Sequence, residues 1–380
     1  MNKIGQTVLV VCDSPKSLID FRGKLIQEMA MKHHVVVFTP TIKQDYLRIR
    51  LNAMNITIYE NELEGSRVTV YGDLKFIFKL GRLILKVKPD VVFPYTFKPV
   101  IYASMISRMC RVKQIVPMLT GLGYNFTSDR KRNWVSRITS GLLKISLINK
   151  SGMKVVFQNG DDYKTLVEQK IISTQHKCFI VNGSGVDLDH YKYTLPKTDP
   201  ITFLMISRLI NAKGIKEFYG AALSVKKKFP EVKCILIGAY DNNIDSISPE
   251  LFHQITTDGT IDYLGEVHDV RPYIINSSVV VLPSYYGEGI PRCLLEAMAM
   301  GRAIITCESV GCRETVSTIK PINGFLVPIK DIDALAEKME EFILNKSLIE
   351  IYGLNGLLIA KEKFDVEIIN KQMLQIMNLD

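Results

Sequence analysis

Tryptophan occurs once in the 380 residues. No apolar run approaches the ~20 residues that a membrane span needs. The seven cysteines are odd in number, scattered, and never spaced C-x-x-C. That argues against a disulfide framework or a zinc ribbon, and the thiols read as buried or idle in a reducing cytoplasm. Histidine is scarce, and only His33 and His34 precede residue 150. There is no G-x-G-x-x-G, which argues against an ordinary dinucleotide fingerprint. Zinc-finger spacing, an RNP-like aromatic-basic string and a helix-turn-helix signature are all missing, so nucleic acid is a poor partner. No solenoid-period repeat or low-complexity tract is visible. The start, Met1-Asn-Lys-Ile, lacks a signal-peptide core, since Val8 to Val11 is only strand-sized.

What is present is an ordinary globular composition, 47% hydrophobic and 23% charged. The length suggests two domains with sizeable cores. The net charge of +9 is unevenly placed. Residues 1–195 carry 29 Lys and Arg against 15 Asp and Glu, an excess of +14. Residues 196–380 carry 19 against 24, a deficit of 5. The first half therefore suits an anionic partner such as a membrane surface or a lipid diphosphate. The alternative is a solvated basic surface with no partner.

The chain reads as strands and helices in alternation, an α/β pattern. Thr7–Val11, Val35–Phe38, Val91–Phe93, Ile115–Leu119 and Val155–Phe157 are strand-like. Leu25–Met31, Leu74–Val87, Val100–Met109 and Asp161–Gln169 are helix-like. Lys98 stands at a strand-to-helix junction, placed to contact an anion. Gly121 and Gly123 allow close backbone approach. Two stretches could meet a membrane. In Leu74–Val87, Lys75, Lys79, Arg82 and Lys86 have helical spacing and form one basic stripe. Arg130-Lys-Arg132, Trp134, Arg137 and Lys144 form a second basic-apolar cluster. The alternative for the first is a helix packed on its own sheet with a lysine-rich outer face, and for the second a basic loop and a buried helix. Tyr193–Pro200, with two prolines, reads as a linker between residues 1–192 and a second α/β domain at 201–361. That domain has strands at Ile201–Ile206, Lys233–Ile237, Ile261–Glu266, Val279–Leu282 and Ala303–Thr306, and a charged helix at Asp331–Phe342.

The most informative stretch is Pro283 to Gly301. The β-branched run Val279–Leu282 reads as a buried parallel strand. Gly287 and Gly289 let the next loop turn tightly. Pro291 suits the first position of a helix, Cys293 to Met300 favour helix, and Gly301 is a natural stop. A strand, a glycine loop and a helix N-terminus make an anion site. Glu288 and Glu296 flank it. Carboxylates beside an anion site make sense when the ligand also carries hydroxyls, as a nucleotide sugar does. A fully helical path between them would span roughly 12 Å at 1.5 Å per residue, against about 5 Å for a retaining glycosidase pair. The alternative is a loop glutamate and a solvent-facing helix glutamate.

Glu288-x7-Glu296 within E-G-I-P-R-C-L-L-E-A-M-A-M-G resembles the signature of the retaining nucleotide-sugar glycosyltransferases of family 4. Gly311-Cys-Arg-Glu-Thr-Val316 and Asn323-Gly-Phe-Leu-Val-Pro328 continue the resemblance. It implies a GT-B fold: two facing Rossmann-like domains with parallel sheets, an interdomain cleft, and a closing helix at 362–380 returning to the first domain. It assigns Arg208 and Lys213 to the nucleotide diphosphate. Gly287, Glu288, Gly289, Ile290 and Pro291 go to the β-phosphate and sugar, and Glu296 to the ribose. Glu288 could also stabilise positive charge on the anomeric carbon. The Gly121–Gly123 loop would lie over the acceptor or the sugar. Phe21-Arg22 resembles a sub-group acting on bacterial surface-polysaccharide intermediates, so Arg22 would meet an acceptor diphosphate; the alternative is a surface arginine at a helix start. The implied reaction moves a sugar, an N-acetylhexosamine with GalNAc as the favoured candidate, from a UDP-sugar to a lipid-diphosphate-linked saccharide. It would take place at the inner face of the cell membrane, on the path to O-antigen or capsule. Rival readings are a GT-B nucleotide-sugar epimerase and a non-catalytic sugar- or membrane-binding module. Two features depart from the family. Ser14-Pro15 replaces the glycine pair of the first loop, and no histidine is available as a general base. Asp187-Leu-Asp189 resembles the family's N-G-V-D turn rather than a metal motif, so no metal or other cofactor is expected.

Overall fold

In the first sheet, every second residue faces the same way. Val8 and Val10 of β1 (Thr7–Val11) pair with Val35 and Val37 of β2 (His34–Pro40) and with Val91 and Phe93 of β4 (Val91–Pro94). The alternate residues Leu9, Val11, Val36, Phe38 and Val92 form a separate core on the opposite face. Adding β3 (Thr57–Asn61) and β5 (Gln114–Ile115) gives a parallel sheet in the order β3-β2-β1-β4-β5. Helices α1 (Pro15–Asp20), α2 (Gly23–Lys32) and α3 (Asp45–Asn52) cover one face. Helices α4 (Val70–Val87) and α5 (Phe97–Met109) cover the other. The order reverses between β1 and β4, the switch point at which ligands of such sheets bind.

This computed structural model describes residues 5–62, 70–123, 134–240 and 245–380. The chain divides into two units, Met1–Ser184 with Glu367–Asp380, and Gly185–Val366. The first is completed by a three-stranded parallel sheet of β6 (Met118–Leu119), β7 (Val155–Phe157) and β8 (Cys178–Ile180). It packs against α5, α6 (Trp134–Ser146) and α7 (Gly160–Glu168). The single strand expected at Ile115–Leu119 is broken at Val116-Pro117, where proline has no N–H to donate to a ladder.

The second unit holds β9 (Thr202–Ile206), β10 (Lys233–Ile237), β11 (Asp262–Tyr263), β12 (Val279–Leu282), β13 (Ala303–Cys307) and β14 (Gly324–Val327). All are parallel, in the order β11-β10-β9-β12-β13-β14. This is the Rossmann order, with its switch point between β9 and β12. Helices α8 (Ile215–Lys228), α9 (Pro249–Thr257), α10 (Arg271–Ile275), α11 (Arg292–Ala299), α12 (Ile332–Leu344) and α13 (Ser347–Lys363) surround it. Residues expected as the end of the first domain and the linker, 185–200, lie with this unit. Val186 N–H donates to Phe364 O at 2.8 Å, and Val366 N–H to Val186 O at 3.0 Å. That bridge also breaks the expected closing helix. Glu362 and Lys363 end α13, and α14 (Val366–Met377) is a separate helix whose Ile369, Met373 and Ile376 enter the first unit's core. Among the described residues no single helix is long and apolar enough to cross a membrane.

Candidate functional site

The two loops at the second switch point carry most of the expected donor residues. The loop after β9 runs from Ser207 through a short 3-10 turn, Asn211–Lys213, to Gly214. The loop after β12 begins at Pro283. They are locked together by backbone. Tyr285 and Tyr286 N–H both donate to Ala212 O, at 2.9 and 3.0 Å. Gly214 has φ +80°, and a Cβ there would lie 2.2 Å from Pro283 O, so only glycine fits.

Between these loops Lys213 Nζ donates to Glu288 Oε1 at 2.5 Å. Ser284 Oγ donates to the same oxygen at 2.9 Å. Burial pushes the Lys213 pKa down, but the charge and hydrogen bond of Glu288 more than offset it, and the net shift is upward. Lys213 is therefore a cation with three donors, of which Glu288 takes one. Its ammonium also stands 5.6 Å from the Tyr286 ring centroid. Arg208, two residues beyond the end of β9, is exposed and has no carboxylate partner among the described residues. The neighbouring thiols are inert. Burial raises Cys293 far above the usual thiol range and Cys312 to about 11.

Helix α11 starts at Arg292, with Pro291 as its N-cap rather than its first helical residue. The path from Glu288 to Glu296 is therefore half loop, and the separation expected for eight helical residues does not apply. Gly287, Gly289 and Ile290 lie in the loop leading into that helix. Gly311, at φ +78°, presses on it from the other side, where a Cβ would come within 2.3 Å of Gly289 O. Glu296 is buried rather than solvent-facing. Its Oε1 accepts Tyr191 OH at 2.8 Å and Arg292 Nε at 2.8 Å. Tyr191 and Ser284 were not anticipated: 105 residues separate Tyr191 from Glu296, and Ser284 looks like any loop serine.

Asp187 and Asp189 form a turn. Asp187 Oδ1 accepts the N–H groups of Asp189 at 3.0 Å and His190 at 3.1 Å.

In the first unit, Arg22 is at the N-cap of α2 and only 3% exposed. It is not the surface arginine that its helix-start position also allowed. Its Nη2 donates to Met118 Sδ at 2.9 Å, and its guanidinium stands 5.6 Å from the Tyr95 ring centroid. Its Nε has no hydrogen-bond partner among the described residues. Burial lowers its pKa to about 10. Tyr95 follows β4, at the first switch point, and bonds Ser17 Oγ at 2.9 Å. The next residue, Thr96, has φ +69°, a conformation costing on the order of 1–3 kcal/mol and concentrated at functional sites. Across the switch point from Thr96, burial raises the carboxyl of Asp13 above its usual value. Lys98 was expected to meet an anionic ligand. Its Nζ lies 3.2 Å from Asp73 Oδ1, and Tyr102 OH holds the other oxygen of that carboxylate at 2.9 Å. Gly121 (φ +119°) and Gly123 (φ +59°) follow β6. The basic cluster Arg130–Arg132 and the Trp134 side chain lie outside the described residues.

Two family models match the chain. "Glycosyl transferase 4-like" covers residues 18–152, and "Glycosyl transferases group 1" covers residues 200–345. The chain is 25% identical to the N,N'-diacetylbacillosaminyl-diphospho-undecaprenol alpha-1,3-N-acetylgalactosaminyltransferase of Campylobacter jejuni, over 87% of this chain and 88% of that one. It is 24% identical to the UDP-Gal:alpha-D-GlcNAc-diphosphoundecaprenol alpha-1,3-galactosyltransferase of Escherichia coli, over 73% of each. Its fold matches the crystal structure of Anabaena Alr3699/HepE in complex with UDP-glucose, with a TM-score of 0.77 at 18% identity, over 98% of this chain and 100% of that one. With one model on each half, the expected signature on the second switch point and the matching fold, the chain belongs to the family 4 glycosyltransferases of the GT-B fold.

Proposed function

We propose that the protein is a retaining glycosyltransferase that moves a sugar from UDP to a lipid-diphosphate-linked saccharide. The observation that carries this reading is the Lys213–Glu288 pair, held between the two loops of the second switch point. A departing nucleotide diphosphate gains negative charge. Lys213, Arg208 and the N–H groups at the start of α11 supply preorganised positive charge for it. Glu288 supplies acceptor oxygens for sugar hydroxyls and a negative charge beside the anomeric carbon. Glu296 receives the ribose hydroxyls, since an ionised carboxylate is an acceptor-only group that several hydroxyl donors can share. In the transfer, the bond from the anomeric carbon to the β-phosphate oxygen breaks. A bond to the acceptor hydroxyl oxygen forms on the same face, and the hydroxyl proton passes to the departing phosphate oxygen. No step uses a metal.

The acceptor belongs to the first unit. A buried arginine with no carboxylate partner among the described residues suits a diphosphate, so Arg22 is assigned to it, with Lys98 as a more distant positive charge and the Gly121–Gly123 loop also assigned to the acceptor. The names of the two curated relatives support an undecaprenyl-diphosphate carrier, a place in surface-polysaccharide synthesis and, from the first, N-acetylgalactosamine as the sugar. Such an acceptor places the protein in the cytoplasm, bound peripherally to the inner face of the membrane.

The test is product formation from a panel of UDP- and GDP-sugars, with and without a synthetic lipid-diphosphate N-acetylhexosamine, in EDTA. One UDP-sugar is expected to yield a lipid-linked disaccharide with the donor's anomeric configuration, assigned by NMR. Glu288→Gln and Lys213→Met are each expected to lower kcat about a hundredfold or more. Consumption or isomerisation of the nucleotide sugar without acceptor would replace this reading with an epimerase or hydrolase. Full turnover by Glu288→Gln would remove Glu288 from the mechanism.

A further inference from the structure

Helix α4 has three faces rather than two. Phe76, Leu80, Leu83 and Ile84 are buried in the first unit's core. Lys75, Lys79, Arg82 and Lys86 form the basic stripe. A third stripe, at the same helical spacing one residue earlier, is apolar and open to solvent: Leu74 is 60% exposed, Phe78 62% and Leu85 64%. Gly81 completes that stripe and borders α5, where its Cβ would touch Ile106.

The two helices beyond it extend the same chemistry. Helix α5 lies between α4 and α6, sharing a core with each. On α6, Ile138 and Ile145 are exposed beside Arg137 and Lys144. Arg108 of α5 reaches across to Ile145 O at 2.8 Å. Neither α5 nor α6 contains an aspartate or glutamate. The one carboxylate of α4, Asp73, is buried against Lys98. Among the described residues only Glu62 brings negative charge to this face, where it pairs with Lys75 and Lys79.

A solvated helix face has no need of a phenylalanine and two leucines in line. A protein partner would fit the apolar stripe but would leave the cations without the anions they match. An anionic bilayer satisfies both, taking apolar side chains at the headgroup boundary and ammonium groups among the phosphates. We infer that the outer face of α4, α5 and α6 is the surface by which the protein lies on an anionic lipid bilayer, with Leu74, Phe78 and Leu85 entering it. The inference deepens the proposed lipid-linked acceptor and rests on that reading for its purpose. It also places the lipid near the acceptor site. The Lys98–Asp73 pair joins the starts of α5 and α4 two residues from Thr96, at the first switch point.

The full chain would be sedimented with phosphatidylcholine vesicles, with and without phosphatidylglycerol, at low and high salt. The unmodified protein is expected to pellet with the phosphatidylglycerol vesicles and to be released by salt. Two variants are compared: Phe78→Ser with Leu85→Ser, and Lys79→Glu with Arg82→Glu and Lys86→Glu. Each is expected to weaken partitioning about tenfold or more. Both should turn over a short-chain, water-soluble diphosphate acceptor at the unmodified rate, which shows that they are folded, and lose turnover on full-length lipid in vesicles. Equal pelleting of both variants and the unmodified protein would overturn the inference. So would an unmodified protein that stays in the supernatant with phosphatidylglycerol at low salt. Absence of turnover on the soluble acceptor by the unmodified protein would instead refute the transferase reading, while pelleting still decides the surface.

Discussion

Among the described residues two arginines are buried, and their surroundings separate a structural role from a functional one. Arg302 donates to the carbonyls of Ile274 at 2.8 Å, Thr194 and Met300 at 2.6 Å and Ile275 at 3.1 Å. It ties loops of the second unit together and leaves no donor for a ligand. Arg22, equally buried, has a thioether, an aromatic face and an orphan Nε. Burying a charge without an anion costs several kcal/mol, of order 3–5 when a partner is missing. Folding gains nothing from that arrangement, whereas a diphosphate would gain a bidentate partner already oriented. Arg22→Met should therefore leave the melting temperature unchanged or higher. It should lower kcat/KM for the lipid-diphosphate acceptor about tenfold to a hundredfold, the worth of one charged hydrogen bond of about 1.5–3 kcal/mol. UDP binding, measured by calorimetry, should not move. A melting temperature lowered by several degrees would make Arg22 a structural residue, and unchanged acceptor kinetics would remove it from the site. Arg302→Met is the contrast, with expected loss of folding.

At the scale of an element, the start of α7 is held by a reciprocal cap. Asp162 N–H donates to Asn159 Oδ1 at 2.8 Å, and Asn159 Nδ2 donates to Asp162 Oδ2 at 3.0 Å. Burial raises the Asp162 pKa from 3.8 to about 7. The native state then holds this proton where the unfolded chain has released it. Stability falls as pH rises from about 4 to 7 and stays lower above that. The upper bound is about 4 kcal/mol, at 1.36 kcal/mol per unit. Asp162→Asn keeps both cap bonds and removes the titration. It should raise the melting temperature at pH 8 and leave it nearly unchanged at pH 4; an equal gain at both would refute the titration. Elements differ in how plainly the sequence announces them. Val8–Val11, Val279–Leu282 and Ala303–Ile305 are continuous apolar runs because both faces of a parallel sheet are covered, and their pattern alone identifies them. Helix α13 gives no such signal. Its Gly353 packs so closely that a Cβ would lie 2.1 Å from Gly301 O, a backbone contact that no hydrophobic period encodes. The loops proposed to hold the donor were legible as a strand, a glycine loop and a helix start from Gly287, Glu288 and Pro291. The Lys213–Glu288 and Tyr191–Glu296 contacts span 75 and 105 residues and exist only once the sheet order is set.

Over the whole molecule, the chain builds its first unit in two instalments. It leaves after Ser184, folds 185–366 as the second unit, and returns with α14. The exit and re-entry are paired through Val186, Phe364 and Val366, so the second unit closes on itself before the return. The return is then fixed by packing and by polar contacts. Ile369, Met373, Ile376 and Met377 join the core that contains Val8, Leu25, Ile26 and Met29. Gln114 Nε2 and Lys154 Nζ both donate to Ile376 O, at 3.0 and 2.5 Å, and Asn370 Nδ2 donates to Glu28 Oε1 at 2.6 Å. The first unit therefore depends on α14, whereas the loops proposed to hold the donor do not. Met373 is fully buried, and Met373→Ala should destabilise the first unit by about 2–5 kcal/mol through the cavity it leaves. For units of this size that corresponds to roughly 2–4 °C per kcal/mol. Calorimetry should show one transition falling, while the affinity for UDP, which the second unit would hold alone, stays within twofold. A parallel loss of UDP affinity would mean that the donor site draws its stability from the first unit as well, and the division of labour between the units would have to be abandoned.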